Sequence, residues 1–118
     1  MDKAKWKSAN DTHASPDALA ALANDPDWMI RIAVARNNNT PPEVLRKLAQ
    51  DMEASVRKHV AGNPFTPVDT LDELAKDSDF MIRGDVARNS SMRLETVEML
   101  AEDKNYTVRK NAIETGRI

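Results

Sequence analysis

Residues 37–62 read NNNTPPEVLRKLAQDMEASVRKHVAG, and this stretch decides the fold. Leu45, Leu48 and Ala49 stand at i, i+3 and i+4, whereas Val56, Val60 and Ala61 stand at i, i+4 and i+5. Each set is one stripe on an α-helix. Moving back 26 residues meets the same stripes as Leu19, Leu22, Ala23 and Ile30, Val34, Ala35. Moving forward meets Leu71, Leu74, Ala75 and Ile82, Val86, Ala87, then Val97, Leu100, Ala101 and Val108, Ala112, Ile113. All 24 positions are apolar, and no insertion interrupts the period. The sequence therefore predicts one domain over 1–118, with repeats at 11–36, 37–62, 63–88 and 89–114. Residues 1–10 form a head that caps the array, and 115–118 a tail.

Each repeat reads as two short helices. The first falls near 16–24, 41–50, 67–76 and 93–102, the second near 28–36, 54–62, 80–88 and 106–114. Thr40-Pro-Pro-Glu43 and Thr66-Pro-Val-Asp69 read as a capping hydroxyl, a proline at the first helical position and an acid three residues after the cap. Ser15-Pro16 repeats this one position later. Asp27, Glu53, Asp79 and Asn105 are the expected N-caps of the second helices, and Asn37, Asn63 and Asn89 suit left-handed C-terminal caps. Helices this short are marginal alone in water, so they must bury their stripes against neighbouring repeats. The expected fold is all-α, a right-handed α-solenoid.

Composition narrows the function classes. The chain has 118 residues, a formal net charge of −2 and no cysteine, which removes disulfides and thiolate metal sites. The lysine-bearing head lacks the apolar core of a signal peptide, and no apolar run approaches the roughly 20 residues of a membrane-spanning helix. A cytoplasmic protein with no membrane contact is the expectation. No phosphate-cradling glycine loop, nucleophile elbow or metal-spaced histidine pair occurs, and every acid that could be recruited to a catalytic pair reads as a cap or a repeat partner. No enzyme, cofactor or metal is expected.

Asn37 to Asp51 with Val56-Arg57 and Val60-Ala61 resembles the leucine-rich repeat variant family, a relative of HEAT-like solenoids. The resemblance extends over about nine-tenths of the chain. It implies a right-handed superhelix in which one helix of each pair, the first here, is short or partly 3₁₀. The family unit is usually about 24 residues, so two extra are expected near the turn between the helices or in the second helix. The family's founding type carries an iron–sulfur cluster on cysteines, which this chain cannot reproduce.

Asp25, Asp51, Asp77 and Asp103 recur with Arg31, Arg57, Arg83 and Arg109, a pattern that reads as a hydrogen-bonded ladder between repeats rather than a row of anion sites. Trp28, Ala54, Phe80 and Tyr106 open the second helices, and packing under the neighbouring turn is the expected role of the aromatics. Trp28 and Phe80 are the alternative anchors for a partner. The second helices hold eight Arg and Lys against two acids, but removing the four ladder arginines leaves four against two. That is thin for nucleic acid, where about six to ten phosphate contacts are usual. The second-helix face also varies between repeats, at Ile32/Lys58/Gly84/Lys110, Ala33/His59/Asp85/Asn111 and Arg36/Gly62/Arg88/Glu114. A protein partner along this face, meeting Arg36, Lys58, His59, Asp85, Arg88 and Lys110, is the expected function. The alternative is weak nucleic-acid or anion binding by Arg36, Lys58, Arg88 and Lys110. The last repeat departs from the pattern at Met92 and Ala112-Ile113, as a natural array end would, and Trp6 is placed to fold over the first repeat. Without that cover the array ends would self-associate.

Overall fold

The computed structural model, which describes residues 1–118, contains nine α-helices and no strand. Helix α1 spans Lys3–Ala9. The first helices are α2 (Pro16–Leu22), α4 (Pro42–Leu48), α6 (Val68–Leu74) and α8 (Leu94–Leu100). The second are α3 (Trp28–Arg36), α5 (Ala54–Gly62), α7 (Phe80–Arg88) and α9 (Tyr106–Glu114). Within each set the starts are 26 residues apart. The second helices pack directly on one another in succession, whereas the first mainly meet the second helices on either side. The result is a helical-repeat solenoid of 43 × 21 × 18 Å. No helix is long and apolar enough to cross a membrane.

The apolar stripes make the core. Of the 24 repeating positions, 21 are buried, and the three others, Leu22, Ala101 and Ile113, lie in the first and last repeats where one neighbour is missing. Ala35, Ala61 and Ala87 have no exposure at all, so the second helices approach closely over small side chains. The first helices are short, as expected, but they are α-helical. The 3₁₀ character lies only at their ends, where the N–H groups of Asp25, Asp51, Asp77 and Asp103 donate to carbonyls three residues back.

Capping follows the expectation in part. Ser15 accepts from Ala18 N–H with Pro16 at the first position, and Asp27, Asp79 and Asn105 cap their helices. Glu53 makes no such bond, its side chain being a methylene longer than aspartate. Thr40 and Thr66 are not N-caps: their hydroxyls donate backward at 2.6 Å to the Val34 and Val60 carbonyls, and Pro41 and Pro67 stand at the cap. Nor do Asn37, Asn63 and Asn89 turn left-handed, since their φ angles are −75°, −76° and −77° in extended backbone. These asparagines are there for their amides. Asn63 Nδ2 donates to Ala35 O at 2.8 Å, in the last turn of α3, and to Asn37 O at 3.2 Å, just after that helix, while its Oδ1 accepts from Phe65 N–H. Asn37 and Asn89 repeat this. One buried side chain thus serves three backbone groups in a region water does not reach.

Asn37 also reveals what the head is. Its amide bonds Ala9 O and Asp11 O just as Asn63 bonds Ala35 O and Asn37 O. Ala9 occupies the buried alanine column, and Lys5 stands 26 residues before Arg31. Helix α1 is therefore the second helix of a preceding unit. It packs on α2 and α3, and Trp6 on it remains 40% exposed.

Arginine and aspartate tie the repeats on the other side. Arg31 Nε and Nη2 donate to the Asp51 carboxylate at 2.7 and 3.2 Å, while Nη1 donates to Asp25 O at 2.8 Å. Arg57 joins Asp77 and Asp51 O in the same way, and Arg83 joins Asp103 and Asp77 O. Lys5 reaches Asp25 at 3.0 Å with a single bond in place of the fork. Arg109 keeps only the carbonyl bond, to Asp103 O, and lies 5.9 Å over the Tyr106 ring. Each aspartate also accepts from the N–H two residues on, which shapes the turn into the second helix. Burial opposes ionisation of Asp51 and Asp103. The arginine fork and that N–H outweigh it and hold both carboxyls below the usual aspartate range.

Three outcomes are expected. Leu48, only 1% exposed, should cost about 2–5 kcal/mol on truncation to alanine, read by urea unfolding. Asn63→Ala, which strands two carbonyls and an N–H, should cost about 2–4 kcal/mol, against less than about 0.5 for exposed Asn38→Ala. Equal costs for the two asparagines would remove the amide from the account. Asp51 and Asp103 titrate lower folded than unfolded, so the stability they add is present above about pH 4 and is lost as pH falls through their folded values. The melting temperature should drop between about pH 5 and pH 3, and Asp51→Asn should lower it at neutral pH yet flatten that drop. A profile parallel to wild type would show that Asp51 takes no part in the acid response.

Candidate functional site

The side chains not absorbed by the scaffold gather on the second-helix face. A hollow of about 410 Å³ lies across α3, α5 and α7, walled by Arg36, Lys58, His59, Asp85 and Arg88 and floored by Gly62, Asn63, Pro64 and Asn89. Arg36 and Arg88 are the last residues of α3 and α7, where a cation meets the negative end of the helix dipole. Both are exposed, and neither has a carboxylate within bonding distance. Gly62 occupies the same column between them, and a Cβ placed there would meet nothing within 4 Å. The missing side chain keeps the space between the two arginines open.

Lys58 and Asp85 form a pair at 2.9 Å in the middle of this surface. His59 Nδ1–H donates to Ser55 O at 2.7 Å, because a carbonyl can only accept.

A second hollow of about 260 Å³ adjoins the first. It shares Lys58, Asp85 and Arg88 and adds Phe80, Met81, Gly84, Thr107 and Asn111. Phe80 is 44% and Met81 52% exposed, so these side chains line the surface rather than pack beneath a neighbouring turn as expected. The same correction applies to Trp28 and Tyr106, which are also exposed. Gly84 is buried because Asn111 lies against it: Asn111 Nδ2 donates to Gly84 O at 3.1 Å, and a Cβ at Gly84 would stand 3.3 Å from that nitrogen. The variable second-helix face is therefore not exposed throughout, since Ala33, Gly84 and Asn111 are all buried.

Of the residues expected to meet a partner, Arg36, Lys58, His59, Asp85 and Arg88 come together, and Phe80 lies in the adjoining hollow. Trp28 lies outside both, and so does Lys110, which pairs with Glu114 at 3.6 Å. Gly62 and Gly84 were missed as site-forming residues, although each interrupts a column of long side chains. No group of three or more His, Asp or Glu side chains is placed to hold a metal ion. The surface offers two guanidinium forks, an ion pair, an imidazole and an apolar patch.

Residues 28–53 match the model of the family described as leucine rich repeat variant. No curated protein and no solved structure matches the chain. The matched stretch runs from α3 through α4 to the turn before α5, and contains the Arg31–Asp51 rung together with Asn37 and Thr40. The chain thus carries a leucine rich repeat variant unit at residues 28–53, set within an all-helical repeat array.

Proposed function

We propose that this chain is a non-enzymatic interaction module that binds a protein partner on its second-helix face, at the surface formed by Arg36, Lys58, His59, Asp85 and Arg88. The observation that carries this reading is a division of labour among side chains. The repeating asparagines, arginines and aspartates are consumed by bonds between units, and no buried side-chain nitrogen or oxygen lacks a partner. Arg36 and Arg88, left without such duty, then stand at one hollow with Lys58, His59 and Asp85. Helical-repeat modules commonly bind along such a face. The two unpaired arginines also give a specific reason to keep anion or nucleic-acid binding as a second reading, in which Arg36, Lys58, Arg88 and Lys110 track phosphates.

A nuclease-treated affinity capture separates the two, comparing the wild type with Arg36→Glu/Lys58→Glu/Arg88→Glu and with Arg46→Glu, a reversal on the first-helix layer. Circular dichroism should show all three proteins folded, with the triple variant melting lower because Lys58→Glu faces Asp85 and the reversals at Arg36 and Arg88 oppose the helix dipoles. The expected result is a protein retained by the wild type and by Arg46→Glu, lost from the triple variant, and only modestly weakened between about 50 and 200 mM salt. Retention of the same protein by the triple variant would show that this face is the wrong surface. Recovery of nucleic acid alone, abolished by nuclease and falling steeply with salt, would replace the proposal with the second reading.

A further inference from the structure

We infer that the segment this surface accepts is an acidic stretch of a protein partner in which a large apolar residue stands at one end and carboxylates follow it; the inference rests on the reading of this face as a partner surface. The two hollows are one surface, because Lys58, Asp85 and Arg88 line both. Its ends differ in chemistry. At one end Phe80 and Met81 lie half exposed beside Gly84, which offers no side chain of its own. At the other end stand Arg36, Gly62 and His59, with Arg88 at the junction.

Charge selects the class of ligand. Lys58 is already neutralised by Asp85 at 2.9 Å, so the free cations lining the two hollows are the guanidiniums of Arg36 and Arg88. A partner that covers them without carboxylates strips their water and leaves their donors unpaired, which opposes docking. Carboxylates match the guanidinium fork with paired bonds. Two free forks suit two acidic side chains. They fall well short of the roughly six to ten phosphate contacts a nucleic acid uses.

Position then sets the order of groups along the partner. Arg88 borders the apolar hollow, so the acid it takes must be next to the apolar anchor. Arg36 borders only the polar hollow of these two, two repeats away along the array, and takes the second acid farther on. The partner segment is therefore asymmetric, apolar at one end and acidic at the other. An apolar residue with acids on both sides would place one carboxylate on the side of Phe80 and Met81 away from both Arg88 and Arg36.

The test uses the full chain and a displayed library of random peptides, selected on wild type. Enriched peptides are then measured by fluorescence anisotropy against wild type, Arg36→Glu/Arg88→Glu, Phe80→Ala/Met81→Ala and Arg46→Glu, with circular dichroism confirming that each is folded. The expected peptides carry a large apolar residue beside one acid and a second acid on the same side. Their affinity should fall about tenfold or more on arginine reversal, fall severalfold on trimming Phe80 and Met81, and hold for Arg46→Glu. Replacing their Glu and Asp by Gln and Asn should weaken them to a similar degree. Neutral or basic peptides that nonetheless lose binding with Arg36→Glu/Arg88→Glu would overturn the acidic assignment and leave the surface standing. Peptides that bind all variants equally would overturn both. A labelled oligo-dT that outcompetes the enriched peptides, or a selection that enriches nothing over bare matrix, would overturn the inference as well.

Discussion

Arg31, Arg57 and Arg83 each hold two repeats at once, and the array depends on them. Arg57 is the case in the middle: one nitrogen grips the Asp51 carbonyl at the end of its own unit's first helix, and two others take the Asp77 carboxylate of the next. The same carboxylate fixes the turn into the following helix through the Asp79 N–H. A single rung therefore sets the angle between two helices and the offset between two repeats. Its individual strength is modest, because these groups are only partly buried and solvent screens them. Its value lies in geometry: a planar fork bonded on two edges admits one arrangement, and that arrangement brings the apolar stripes into contact.

The asparagine amides complete the constraint from the opposite end of the second helices. Helices of seven to nine residues leave many terminal carbonyls without partners, and a solenoid buries those ends between repeats. Asn63 meets Ala35 O and Asn37 O, and Thr66 meets Val60 O, so the carbonyls around the helix exit are served by side chains rather than water. Small alanines at 35, 61 and 87 are what allow the amides to reach across. Leucines fill the space that is left. Packing and polar satisfaction thus enforce the same 26-residue offset, and helices too short to be stable alone hold one another in place.

This explains which parts of the molecule were legible in the sequence. Leu45, Leu48 and Ala49 declare a helix because burial selects apolar side chains with a helical period, and Arg31 and Asp51 recur because a buried charge needs its partner. Asn63 was misread. Its presence after a helix suits a left-handed cap as well as it suits an amide bridge, and only the backbone angles separate the two. Thr66 was misread for a similar reason, since a hydroxyl ahead of proline can serve the helix that follows or the one that came before. The head was hidden because only Ala9 and Lys5 of α1 carry the pattern, with Ala4 and Ser8 standing where other repeats place Ile and Val. The aromatic column was taken for packing because side-chain size alone does not say which way Trp28 or Phe80 points.

The same logic accounts for the candidate surface. A repeat that fixes its scaffold columns leaves the others free, and those columns differ most where α3, α5 and α7 pass one another. Gly62 and Gly84 are decisive there through what they lack: one opens the floor between two arginines, and the other lets Asn111 close against the backbone while leaving room beside Phe80. Neither glycine sits in a strained conformation, as the sole positive φ in the chain belongs to Gly116. They are there for space rather than for backbone freedom. A surface made by removing side chains from a rigid array has its shape set before any ligand arrives, so little ordering is needed on its side of the encounter. On the proposed reading, binding is decided by whether the incoming chain can match two exposed arginines and fill one apolar hollow.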